Sequence, residues 1–406
     1  MIVIKGGVTA PKGFLANGVR AGIKESGRPD LALLYSEVPA VAAGAFTANR
    51  FQASPVRVSK LHLRNSFHEA IIVNSGNANC INGKTGDRNA MRMAEYIAKT
   101  MALKAREVLV ASTGIIGKPL PIEKIEKAIP SLISELSEKN GKKFSGAIMT
   151  TDTVAKEFAL KTRLGASYVT LGGSCKGVGM ICPDMKTEKH ATLLSFLTTD
   201  AAISKRMLEA ALEEAIADSF NMVSVDGDMS TNDTCFILAN GLADNKKIEA
   251  KNGHYKEFVK ALRFLCAELA KMIARDGEGA TKFVEIEVRG ARSAKDAKTV
   301  ARKVSNSNLL KCCIYGQDPN WGRVVAACGA SGVDFDPAKV DVYLGGIKAL
   351  AGGAVSSGYD KAAAARLFKD KDIKITIDLN SGKARTIAWT CDLSKEYVAI
   401  NSEYST

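Results

Sequence analysis

The chain has 406 residues, of which 46% are hydrophobic and 24% are charged, and its formal net charge is +13. This length predicts two or three domains or one large α/β body, and this composition excludes a disordered or collagen-like chain. The basic residues are spread along the chain without a long run, so we expect small acidic substrates rather than nucleic acid as partners.

Five segments are rich in β-branched residues and end at glycine or at Asn-Ser-Gly, as strands do. They are residues 70–76, 107–114, 234–241, 282–290 and 374–382. Helical periodicity lies between these segments, in residues 121–136, 204–220 and 254–274. The first of these helices is expected to place Ile122, Ile125, Ile129 and Ile133 on one face. This alternation of strands and helices predicts an α/β architecture.

No stretch reaches the roughly 18 apolar residues that a membrane helix requires, and the N-terminal residues lack the pattern of a signal peptide. The nine cysteines are scattered without a CxxC pair, and none of the four histidines is paired at metal-ligand spacing. This cysteine pattern is typical of reduced thiols in the cytosol. We therefore expect a cytoplasmic protein with neither a membrane span nor a metal site.

Three stretches imitate ligand-binding loops without completing their patterns. Residues 75–86 end like a phosphate loop, but Ala78 stands where the first glycine is required, so we expect a tight turn. Residues 223–233 begin like a calcium loop, but Thr231 occupies the glycine position, which leaves an Asx-rich turn. Residues 176–180 supply glycines, yet no clear strand precedes them, so a dinucleotide site is not expected.

The segment KHATLLSFLTTDA (189–201) places Thr192 after the small residue Ala191. The Thr192 hydroxyl could attack the Ala191 carbonyl, and hydrolysis of the resulting ester would make Thr192 the first residue of a new chain. Its α-amine, with a pKa of about 7.7–8.0 in model peptides, could then act as the base. Thr113 and Gly114 are one candidate pair of oxyanion donors. On the residues alone, a helix cap or a buried strand residue is the commoner role for such a threonine.

Nine blocks along the whole chain resemble the ornithine acetyltransferase family, the glutamate N-acetyltransferases of arginine synthesis. They are GGVTAPKGF (6–14), AGAFTANR (43–50), VNSGNAN (73–79), STGIIG (112–117), MTTDT (149–153), TTDA (198–201), VDGDMSTND (225–233), DGEGATK (276–282) and DPNWGR (318–323). The resemblance implies mixed sheets packed with helices in an N-terminal-nucleophile-type fold.

The resemblance also implies a self-cleaving precursor. Cleavage between Ala191 and Thr192 would give an alpha chain, 1–191, and a beta chain, 192–406, with two of each in a heterotetramer. Acetyl would pass from N-acetylornithine to glutamate through an acetyl-Thr192 intermediate. No cofactor is implied, and whether acetyl-CoA is also a donor stays open.

By the same resemblance, Thr113 and Gly114 form the oxyanion hole. The implied substrate-binding residues are Thr150, Thr151, Lys176, Thr192, Glu278, Asn401 and Thr406. Lys176 could pair with the α-carboxylate that both substrates carry, and Glu278 with the side-chain ammonium of ornithine. Without the resemblance, Lys176 would be interpreted as a solvated loop lysine and Glu278 as a surface acid.

Three alternatives remain open at this point. The segment before Thr192 is longer than in the family, so Thr187 could take the nucleophile's place; we favour Thr192 because Ala191 precedes it and the following spacing is kept. An aminopeptidase or amidase of similar fold would use the same nucleophile but pass the acyl group to water. A non-catalytic protein on this scaffold would remain uncleaved.

Overall fold

A computed structural model describes residues 1–184 and 193–403. Within these residues two mixed β-sheets pack against helices, which confirms the α/β class and the mixed sheets that the resemblance implied. Ala191, Thr192, Thr406 and the alternative nucleophile Thr187 lie outside the described residues.

Nine described strands form the larger sheet. They are β1 (Ile2–Ile4), β2 (Phe14–Val19), β3 (Leu31–Phe46), β4 (His68–Asn77), β5 (Val108–Ile115), β6 (Lys156–Leu164), β7 (Ser167–Lys176), β8 (Leu194–Thr199) and β9 (Thr234–Ala239). Their order is β1-β6-β7-β8-β9-β3-β4-β5, with β2 also paired to β3. β4 runs parallel to β5 and β8 parallel to β9, whereas β7 is antiparallel to β8.

Six described strands form the smaller sheet: β10 (Phe283–Ala291), β11 (Asp341–Leu344), β12 (Ile347–Ala351), β13 (Ala354–Val355), β14 (Asp372–Asp378) and β15 (Ala384–Cys391). The helices are α1 (Ser54–His62), α2 (Gly83–Met101), α3 (Ile122–Ser134), α4 (Gly141–Ile148), α5 (Lys205–Ala217), α6 (Gly253–Arg275), α7 (Ala294–Ser305), α8 (Asn308–Tyr315), α9 (Trp321–Gly329), α10 (Lys361–Leu367) and α11 (Lys395–Glu403). One continuous apolar core joins α5 and α6 to both sheets.

The predicted strands and helices are confirmed, with one change in the buried face of α3. This helix buries Ile122, Ile125, Ile129 and Leu132, whereas Ile133 is only partly buried. Ile133 nevertheless packs against the same apolar cluster, so the predicted face is confirmed, and Leu132 extends it.

The three imitated loops have separate outcomes. The expected turn after β4 is confirmed and leads into α2 at Gly83. The Asx turn is also confirmed, because the Asp226 carboxylate accepts a hydrogen bond from the Asp228 N–H at 3.1 Å. The statement that no strand precedes residues 176–180 is wrong, since β7 ends at Lys176; irregular backbone rather than a helix follows through residue 184.

The strand ends bring the sequence blocks together at one end of the larger sheet. Lys176, the last residue of β7, pairs with Leu194, the first residue of β8, and Leu194 pairs in turn with Thr234 at the start of β9. Thr113 and Gly114 lie inside β5 near its end, within the strand predicted over residues 107–114. Among the described helices, none is long and apolar enough to cross a membrane.

Candidate active site

The end of β5 is shaped by the close approach of β4. Gly114 lies opposite Gly76, where the pairing of the two strands becomes irregular. The φ angle of Gly114 is +131°, and a Cβ atom built on it would lie 2.3 Å from the carbonyl carbon of Gly76. Only glycine fits this position, because it tolerates the positive φ and the contact with the neighbouring backbone. The backbone at Thr113–Gly114 is thereby held in one fixed geometry.

Lys176 contacts this strand end from β7. Its ammonium donates a hydrogen bond to the Thr113 hydroxyl oxygen at 3.3 Å, and the residue is only 8% exposed. An ammonium has no acceptor, so the Thr113 oxygen must accept and its own proton remains available to another acceptor. The interpretation of Lys176 as a solvated loop lysine is wrong, because β7 carries it into the interior.

A buried ion network supports Lys176. The Lys156 ammonium donates to Asp152 at 2.7 Å and also to Asp276, and the Asp152 carboxylate accepts the N–H of Gly177 at 2.9 Å. Burial opposes ionisation of Asp152, but the ammonium groups of Lys176 and Lys156 prevail and hold its pKa below the usual range. Asp152 therefore balances the charge of Lys176 while fixing the backbone just beyond it.

Asp152 also fixes the segment that precedes it. Its carboxylate accepts the N–H of Thr150 at 3.0 Å, which orders the first of the two predicted threonines. Sequence reasoning missed Asp152, Lys156 and Asp276. The four-residue spacing between Asp152 and Lys156 is a local signal for the first two, whereas Asp276 joins them from the distant end of α6.

Glu278 gathers two more of the predicted residues. Its carboxylate accepts the Thr151 hydroxyl at 2.8 Å and the Asn401 side-chain amide at 3.0 Å. The backbone N–H of Glu278 donates to the Val178 carbonyl at 2.8 Å, so the acid is tied to the loop after Lys176. Glu278 is not a free surface acid; it joins three separate segments at the rim of the site.

The predicted residues line one cavity of about 130 Å³. Those present are Thr113, Gly114, Thr150, Thr151, Lys176, Glu278 and Asn401. Leu193, the chain neighbour of Thr192, lines the same cavity. Within the described part of the chain, no three His, Cys, Asp or Glu side chains are grouped as metal ligands. The cavity thus offers hydroxyl and amide donors beside one cation and one carboxylate, a set suited to a small zwitterion.

The loop before β9 forms a further wall that sequence reasoning treated only as a turn. Ser230, Thr231, Asn232 and Asp233 line the cavity. The Asn232 amide donates to the carbonyls of Ala78 and Ser112 at 2.6 and 2.8 Å, which fixes this loop against β5. The N–H of Thr234 donates to the Leu193 carbonyl at 2.7 Å, which fixes it beside the start of β8.

Asp233 is a buried acid in the lining of this cavity. Among the described residues its Oδ2 atom has no hydrogen-bond partner, and the residue is 4% exposed. Burial raises the pKa of this carboxyl well above its ordinary value. Burial therefore works against the ionised form of Asp233 at this wall of the cavity.

Comparison with known proteins identifies the family. The ArgJ family model matches residues 15–406. The arginine biosynthesis bifunctional protein ArgJ of Symbiobacterium thermophilum is 45% identical over 405 residues, covering 99% of each chain. Its namesake in Dehalococcoides mccartyi is 45% identical over 407 residues, covering 100% of this chain and 98% of the relative. A crystal structure of the arginine biosynthesis bifunctional protein ArgJ from Bacillus halodurans is 41% identical in sequence. The match covers 51% of this chain and 97% of the crystallised chain, with a TM-score of 0.49. The match over nearly the full length confirms the resemblance: the chain belongs to the ArgJ family.

Proposed function

We propose that this protein is a glutamate N-acetyltransferase of arginine biosynthesis, which moves acetyl from N2-acetylornithine to glutamate. The observation that carries the proposal is the single cavity in which Thr113, Gly114, Lys176 and Glu278 meet beside Leu193. This set provides oxyanion donors, a cation for a carboxylate and an anion for an ammonium. Together with membership of the family, it favours transfer between two amino acids.

The first proposed step is maturation of the chain. The Thr192 hydroxyl adds to the Ala191 carbonyl carbon, the C–N bond breaks, and water hydrolyses the ester that results. The products are an alpha chain, 1–191, and a beta chain, 192–406, whose first residue is Thr192; two of each would form the assembled enzyme. The position of Leu193 supports this proposal, because this neighbour of Thr192 in the chain lines the same cavity as Thr113 and Gly114.

The second proposed step is acetyl transfer. The Thr192 α-amine removes the proton of its own hydroxyl, and the oxygen attacks the acetyl carbonyl of N-acetylornithine. The Thr113 hydroxyl and the Gly114 N–H stabilise the oxyanion. The amide C–N bond then breaks, and the α-ammonium returns the proton to the departing amine of ornithine. Glutamate reverses these steps: its amine attacks acetyl-Thr192, and the threonine oxygen leaves with a proton.

The charges of the cavity assign the two ends of each substrate. The Lys176 ammonium pairs with the α-carboxylate, which ornithine and glutamate share. Glu278 pairs with the ornithine side-chain ammonium, while the Thr151 hydroxyl and the Asn401 amide offer hydrogen bonds to the glutamate side chain. Thr406 belongs to the proposed set by resemblance. We include acetyl-CoA as a second donor, because the relatives are named bifunctional proteins.

Trapping the intermediate tests this proposal. The purified protein should consist of two chains, one beginning at Thr192, and N-acetylornithine without an acceptor should add one acetyl group to that residue. Glutamate should then remove it, and initial rates with both substrates varied should give parallel lines. Thr192→Ala should neither cleave nor take up acetyl. Loss of the acetyl group to water at the same rate without glutamate would indicate the hydrolase instead, and a chain beginning at Thr187 would move the nucleophile.

A further inference from the structure

A second cavity adjoins the active site. It has a volume of about 480 Å³ and shares Thr150 and Thr151 with the first cavity. Gly76 of β4 and Ile115 of β5 line it; Gly76 forms the close contact with Gly114, and Ile115 follows Gly114 in the chain. A ligand in this cavity would therefore lie next to Gly114, one of the two proposed oxyanion donors.

Three cationic side chains line the second cavity: Lys24, Arg28 and Lys118. Lys24 donates to the Pro29 carbonyl at 2.7 Å, and Arg28 to the Thr150 carbonyl at 3.0 Å. These partners are neutral, and Glu25 is the only acid in the described lining. The cavity thus has an excess of positive charge.

Lys24 is the least exposed of the three cations. Burial is the main cause that lowers the pKa of its ammonium, to about 8. The carboxylates of Asp30 and Asp152 oppose this effect only in part, so a bound anion would stabilise the charged ammonium further.

The loop that carries Lys24 is held in place before any ligand arrives. The carboxylate of Asp30, which is fully buried, accepts the N–H groups of Ala21, Ile23 and Lys24 at 2.6, 2.6 and 2.9 Å. A cation on an ordered loop loses less freedom when it binds an anion, so the cavity is prepared for a ligand.

We propose that this cavity binds the phosphate-bearing part of a coenzyme A thioester, whose acyl end reaches Thr113 and Gly114 past Thr150 and Thr151. The inference rests on the proposed acetyl transfer and extends it to the site of the second donor. Neither ornithine nor glutamate carries enough negative charge to need three further cations. A coenzyme A thioester combines several phosphate charges with a long, thin arm, which suits a cationic cavity beside the reacting atoms.

The chemistry of this donor balances on the groups already described. The Thr192 oxygen attacks the thioester carbonyl, the C–S bond breaks, and the proton removed by the α-amine passes to the departing sulfur. The products are acetyl-Thr192 and the free thiol of coenzyme A. Glutamate then takes the acetyl group as before, so no oxidant or reductant is required.

The test compares two donors in variants of the second cavity. Lys24→Met and Lys118→Met should each raise the KM for acetyl-CoA about tenfold, the size expected for one lost hydrogen bond to a charged group. The kcat/KM for N-acetylornithine should stay within about twofold, because that donor lies in the first cavity. Lys303→Met, at an exposed position of α7, is the matched control and should change neither value.

A shortened acetyl donor distinguishes the contribution of the phosphates to binding from that of the pantetheine arm. S-acetylpantetheine lacks the nucleotide, so Lys24→Met should leave its kcat/KM unchanged. Equal losses with both thioesters, equal losses with N-acetylornithine, or an unchanged KM for acetyl-CoA would overturn the inference. A wild-type enzyme that uses N-acetylornithine but not acetyl-CoA would also overturn it while leaving the proposed function intact. Failure of the wild type with N-acetylornithine would instead contradict the proposed function.

Discussion

One buried aspartate lies behind a wall of the active-site cavity and another lies in a second wall, and the outcome for the charge differs between them. Asp152, before β6, lies between the ammonium groups of Lys156 and Lys176 and is held ionised. Asp233, before β9, has an oxygen without a partner among the described residues, and burial favours its protonated form. Burial by itself raises the pKa of any carboxyl; a neighbouring cation decides whether the charge survives. The wall in front of Asp152, here called the charged wall, carries the Lys176 ammonium; in the wall that contains Asp233, here called the neutral wall, burial works against a charge.

The largest expected effect comes from breaking the charged wall. Asp152→Asn keeps the shape but leaves Lys156 and Lys176 with less counter-charge, so we expect the free energy of unfolding to fall by about 3–5 kcal/mol. Denaturant unfolding at neutral pH measures it. The matched control is Asp87→Asn, which removes the exposed ion pair with Arg57 and should cost about 0–1 kcal/mol. Equal losses in the two variants would contradict the ion network described here.

The depressed pKa of Asp152 sets the direction of its pH dependence. Its stabilising contribution is fully present above the pKa of the unfolded chain, which is about 3.9. It is lost as the pH falls through the lower pKa of the folded state. The difference in stability between the wild type and Asp152→Asn should therefore shrink on acidification below about pH 4.

The next effect concerns the hydroxyl that the charged wall orients. Thr113→Ala should lower kcat about a hundred- to a thousandfold, because an oxyanion donor acts in the transition state. Thr113→Ser keeps the hydroxyl and should retain most of the activity. Steady-state kinetics on fully cleaved protein measures both, since the same donor could assist maturation. A cleaved Thr113→Ala enzyme with an unchanged kcat would remove Thr113 from the oxyanion site.

A smaller effect is expected at Lys176 itself. Lys176→Met removes the cation that is proposed to meet the α-carboxylate, so the KM for both N-acetylornithine and glutamate should rise about tenfold or more. Lys176→Arg keeps the charge and should recover part of the binding. Rates measured over a range of each substrate give these values. A KM that changes for one substrate alone would place the carboxylate elsewhere.

The smallest expected effect is the pH dependence of stability that Asp233 causes in the neutral wall. Because the folded pKa of Asp233 is raised, its contribution to stability is greatest below the unfolded pKa and is lost as the pH rises through the folded pKa. Asp233→Asn cannot ionise, so its unfolding free energy should gain on that of the parent by up to about 1.4 kcal/mol per pH unit in this window. Unfolding at several pH values above about 3.9, the pKa of an unfolded aspartate, measures the slope. Both proteins should carry Thr192→Ala, which keeps a new α-amine from forming. Parallel curves would show that Asp233 is ionised in the folded state.

The local sequence pattern predicted five strands and three helices correctly. It did not identify Lys176 and Glu278 as residues of the site. Strand composition and helical spacing depend on near neighbours, so the five strands and three helices could be predicted from the chain alone. Lys176 and Glu278 could not be ranked in this way, because their partners Thr113 and Thr151 lie far away in sequence. Only the family resemblance selected them before the fold was known.

The sequence by itself determined the family and the α/β class and, through the family resemblance, seven of the residues that line the active-site cavity, because the blocks that carry the resemblance are contiguous and specific. The tertiary structure decided which charges meet. Asp276 joins Asp152 and Lys156 from the end of a distant helix, and Asp233 lies against the start of β8 only through the parallel pairing of β8 with β9. The second cavity likewise exists only where the loop of Lys24 meets the ends of β4 and β5. Ionisation and binding depend on distances through space, and these are set only when the sheets have formed.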